Sequence, residues 1–111
     1  MNRTAVIDLA DALRRLPGVR SAIARDADPG AGAGCAWAVT LVVTGDDLGR
    51  EATELVRMCV QEATRVQIRE ISATRAGTTF WLRGLSESRP ADLVDALKAA
   101  GRRHFEHLRN F

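Results

Sequence analysis

Apolar residues recur along this 111-residue chain in two different rhythms. From Thr4 to Leu16, Val6, Leu9, Leu13 and Leu16 return at helical spacing with Ala10 and Ala12 beside them, the stripe of an amphipathic helix. Pro17-Gly18 stops that helix. Val19–Arg25 is β-branched and small but alternates imperfectly, which predicts an edge strand. The cleanest period of two is CAWAVTLVVT, residues 35–44. There Trp37, Val39, Leu41 and Val43 line one face, and Ala36, Ala38, Thr40 and Val42 line the other. Large residues on one side and small ones on the other predict a central strand. Its large face should meet helices, and its small face has room for something else, such as a partner.

Thr44-Gly45-Asp46-Asp47 is a capping-type start for a second helix running to about Thr64. Its stripe is Leu48, Ala52, Leu55, Val56, Cys59 and Ala63, with Glu51, Glu54, Arg57, Gln61 and Glu62 on the wet side. VQIREISAT, residues 66–74, alternates but slips between Ile68 and Ile71, as a bulge would. Arg75-Ala76-Gly77 reads as a tight hairpin turn. The returning strand, Thr78–Leu85, sets Phe80 and Leu82 on one side and Trp81, Arg83 and Leu85 on the other. Ser88 is the expected N-cap of a last helix with Pro90 in its first turn. Leu93, Leu97, Ala100, His104, Leu108 and Phe111 continue one stripe, Phe105 lies beside it, and Gly101 thins it.

The order α-β-β-α-β-β-α predicts one α+β domain spanning residues 1–111: a four-stranded antiparallel sheet with three helices. It resembles a ferredoxin-like βαββαβ unit that lacks its first strand. The hairpin puts the fourth strand between the third and the second, where the missing one would lie, so the sheet is circularly permuted. This likeness is one of fold and implies no function. Such a sheet accommodates two helices on a face. The third is therefore expected to cover the opposite face or to dock on another subunit. Trp81 and Leu85 give that opposite face apolar surface to bury.

Composition narrows the functional classes. An apolar share of 46% and a charged share of 27% are those of a soluble globular chain. No apolar run approaches the roughly 20 residues of a membrane span. Asp8 and Asp11 interrupt the N-terminal apolar stretch, which spoils a signal peptide, so a cytoplasmic location is expected. Net charge is +2, acids and bases interleave, and only a slight basic excess collects at the C-terminus. No clustered basic face is evident, which disfavours nucleic acid. The Ala, Gly and Arg bias without tyrosine fits a GC-rich bacterial genome.

Candidate chemistry is sparse. Cys35 and Cys59 are 24 apart with no CxxC pairing, so reduced thiols are expected, and Cys59 on its helical stripe reads as a small buried hydrophobe. DADPGAGAG, residues 26–34, has no GK[ST], and its GxGxG leads into a strand where a dinucleotide fingerprint needs GxGxxG before a helix. It reads as a hairpin connection. In HFEH, His104 and His107 share a helix face and form the chain's metal candidate. A zinc site needs further ligands, and HExxH has a different spacing. Arg102, Arg103 and Arg109 suit the negative end of a helix dipole without any ion, so no metal and no cofactor is assigned. The same segment offers Phe105 and Phe111 for base stacking, the weaker nucleic-acid reading. Asp46-Asp47 and the pair Asp92 and Asp95 stand at helix starts, where acids favour the dipole, and no GxSxG or spaced Cys-His pair is present.

The expectation is a small protein–protein interaction module, an adaptor, regulatory or assembly unit that self-associates. Its interface anchors are Trp81, Leu85, Phe105, Leu108 and Phe111. The alternative is a small-molecule-binding module or small enzyme using a pocket between Trp37, Trp81 and the last helix.

Overall fold

A computed structural model describes residues 3–25, 35–63 and 65–109, with Cys35 and residues 102–109 described by backbone alone. The elements are α1 (Arg3–Arg14), β1 (Val19–Arg25), β2 (Cys35–Thr44), α2 (Asp47–Glu62), β3 (Val66–Thr74), β4 (Gly77–Leu85) and α3 (Pro90–Arg109). Residues 26–34, expected from the sequence to be a hairpin connection, lie outside the described residues, as do Thr64 and Phe111.

The strands form one four-stranded antiparallel sheet in the order β1-β2-β4-β3. β1 is an edge strand, as its weak alternation predicts, and β4 lies between β2 and β3. The β3–β4 turn is two residues, Arg75 and Ala76, with Thr74 opposite Gly77 and the Thr74 hydroxyl donating to the Gly77 carbonyl at 3.1 Å. The predicted bulge in β3 falls between Glu70 and Ser72.

One face of the sheet makes the core. Trp37, Val39, Leu41 and Val43 of β2 are at most 2% exposed, and Ala22, Phe80 and Leu82 join them. The helices bring Val6, Leu9 and Leu13 from α1, Leu55, Val56 and Cys59 from α2, and Leu93 and Leu97 from α3 into the same cluster. Burying these side chains is the main stabilising term, at about 1.5–3 kcal/mol for each large one.

The placement of α3 departs from expectation. It does not cover the opposite face: its first half packs against both α1 and α2, and its Leu93, Val94 and Leu97 are buried in the shared core. Small residues explain the room for a third helix. Ala10 and Ala12 of α1, Ala52 of α2, and Ala96 and Ala100 of α3 are buried or packed against the core, and interaxial distance shrinks with the side chains at the contact. The other face of the sheet therefore has no helix over it among the described residues.

Helix starts also differ in detail. Asp46, not Thr44, caps α2: its carboxylate accepts from the Gly49 N–H at 3.1 Å and from the Thr44 hydroxyl at 2.5 Å. Leu48, expected on the buried stripe, is 47% exposed, and it is its backbone that lies close to Gly18. Ser88 does not cap α3. Its N–H closes a turn onto the Leu85 carbonyl at 3.0 Å, while its buried hydroxyl finds no partner among the described residues.

The Thr44 hydroxyl first, and then the Gly49 N–H, hold the Asp46 carboxyl below its ordinary value of 3.8. A depressed folded pKa stabilises above that ordinary value, and the contribution disappears as pH falls through the folded pKa. Asp46→Ala is therefore expected to lower the thermal midpoint near neutral pH, with the gap to the parent protein closing in acid. Circular-dichroism melts at stepped pH check this, and a gap that persists unchanged in strong acid would exclude the cap as its cause.

Candidate functional site

The uncovered face of the sheet is built by register. Arg69 on β3, Trp81 on β4, Thr40 on β2 and Ile23 on β1 stand side by side in one row. The next row is Gln67, Arg83, Ala38 and Arg25, and on the other side lies Ser72, Thr79, Val42 and Ser21. Strands about 4.8 Å apart and same-face residues about 6.7 Å apart make this a grid of fixed spacing. Period-two alternation aims these side chains away from the helices, since their neighbours along the strands are the core residues.

Relief follows from residue size. Ala38, Thr40 and Val42 form a low floor along β2. Trp81, 39% exposed, and Arg83 rise on the β4 side, and Ile23, 46% exposed, and Arg25 rise on the β1 side. These larger residues flank β2 at two rows, and the Arg25 side chain reaches back over the second strand to Thr40. The Arg83 guanidinium lies over the Trp81 ring, 5.5 Å from its centroid. Such a stack contributes about 0.5–1 kcal/mol at an exposed site and holds both side chains in place. The Arg25 Nε donates to the Thr40 hydroxyl at 3.3 Å.

Charge on this face has one sign. Arg25, Arg69 and Arg83 point outward, and none of the described strand positions sharing their face is acidic. Glu70, the acid of β3, pairs with buried Phe80 and so belongs to the helix side. There it lines a cleft of about 240 Å³ between the start of α2 and the β3–β4 hairpin, with Arg50, Thr53, Arg57 and Phe80. That volume falls below the usual range of roughly 300–1,000 Å³ for ligand pockets.

The predicted site residues separate. Trp81 and the half-buried Leu85 share the uncovered face, as their alternation with Phe80 and Leu82 implied. Trp37 is on the opposite, buried face, so the pocket expected between Trp37, Trp81 and the last helix does not exist: the sheet itself stands between the two indoles. His104, Phe105, His107 and Leu108 lie on the part of α3 described by backbone alone, and Phe111 is outside the described residues. Among the described residues no group of His, Cys, Asp or Glu is placed to hold a metal ion. Cys59 is 1% exposed, and burial raises its thiol pKa, so it packs as a hydrophobe. The arginine rows escaped the sequence reading. Arg83 and Trp81 have the same parity on one strand, but aligning Arg25 and Arg69 with them requires the register across two further strands and a bulge.

Among the described residues no helix is long and apolar enough to cross a membrane. Comparison with protein-family models, with curated proteins and with solved structures found no match.

Proposed function

We propose that this chain is a cytoplasmic protein-interaction module whose docking surface is the uncovered sheet face centred on Trp81. The observation that carries the proposal is the placement of all three helices on one side of the sheet. It leaves Trp81 and Ile23 exposed on the other side, where no core requires them. An exposed aromatic beside arginine is the composition of an interface centre. The order β1-β2-β4-β3 and the β3–β4 hairpin support a circularly permuted ferredoxin-like sheet as the scaffold.

Self-association belongs to the same proposal but to a different surface. Two sheet faces stacked on each other would set arginine against arginine. Phe105, Leu108 and Phe111 recur every three residues at the C-terminal end, and this segment is proposed to join copies of the chain.

A photo-crosslinking amino acid at position 81, with the same group at exposed Met58 on α2 as control, tests the docking surface in cells. Discrete protein adducts from position 81 and none from position 58 are expected. Adducts of equal number and identity from both would sink the docking surface. Native mass spectrometry tests self-association: an oligomer that Phe105→Ala with Leu108→Ala reduces to monomer is expected, and a monomer in the parent protein overturns it.

A further inference from the structure

We draw no further inference here: the strongest candidate, the uncovered sheet face around Trp81 and Ile23, belongs to the docking surface already described, and nothing in the structure shows what covers it.

Discussion

Trp37→Ala is expected to remove about 3–5 kcal/mol from the free energy of unfolding, the range for deleting a large buried aromatic side chain. Against a total of roughly 5–15 kcal/mol for a domain, this brings the protein close to its unfolding midpoint. Trp37 is 1% exposed and heads the largest fully buried side chains. Its indole is seated on Gly84: a Cβ built there would lie 1.9 Å from the Trp37 Nε1 and 2.0 Å from Cε2. Any side chain at position 84 must therefore move the ring. Gly84→Ala alone is expected to cost about 1–3 kcal/mol or more by overpacking. In a Trp37→Leu background the obstructing ring is gone, and the same substitution should become nearly neutral. Urea titration of the two single variants and the double variant would show this as a coupling of about 0.5–3 kcal/mol. If the two effects simply add, the indole is not held by the glycine.

Gly18→Ala is the second large effect. Gly18 has φ +88, and a Cβ there would lie 2.2 Å from the Leu48 carbonyl oxygen. The Gly18 carbonyl also accepts from the Thr44 N–H at 2.8 Å. The residue thus joins the α1–β1 turn to the corner where β2 gives way to α2. A left-handed backbone costs a non-glycine residue about 1–3 kcal/mol, and here the neighbouring backbone must shift as well. Asparagine tolerates this conformation better than β-branched residues, so Gly18→Val should be the more damaging of the two substitutions, with Gly18→Asn milder. Thermal melts give the order. Hydrogen exchange should show lost protection at Thr44 and the first turn of α2. Equal stability of all three variants would mean that neither the backbone angle nor the close approach constrains the corner.

These two positions illustrate what a single sequence discloses. The alternation of β2 was legible because one face is wholly buried and the other is built of small residues, so period and size agree. The bulge in β3 was legible because a missed beat shows in any run of period two. The pairing of β3 with β4 followed from the short turn at Arg75 and Ala76, whereas the place of β4 beside β2 rested on the likeness to a known fold. Helical stripes, by contrast, state that a surface is buried and not against what. Hence α3 was read as surplus to the sheet face, although the alanines of α1 and α3 make room for it there. Leu48 matched the stripe and still faces solvent, since a period says nothing of where a helix overruns its support. The separation of Trp37 from Trp81 lay within reach, as their neighbours on β2 and β4 have opposite character. Arg25 and Arg69 did not, because face-sharing between strands depends on register, and each flanking strand contains an irregularity.

The position of β4 has a consequence for how the chain reaches its native state. The central pair of the sheet joins β2 to β4, and β3 connects to the rest of the sheet only through β4. During synthesis, β1 and β2 emerge first and can close as a hairpin, but β2 must wait with one edge unpaired until Leu85 has left the ribosome. A nascent chain ending anywhere before β4 therefore carries an open central edge and a β3 with nowhere to dock. Assembly of the sheet is consequently cooperative and late, dominated by contacts between distant parts of the chain, and slow relative to helical domains of this length. It is during that interval, rather than in the finished fold, that the apolar face of β2 is most exposed to aggregation.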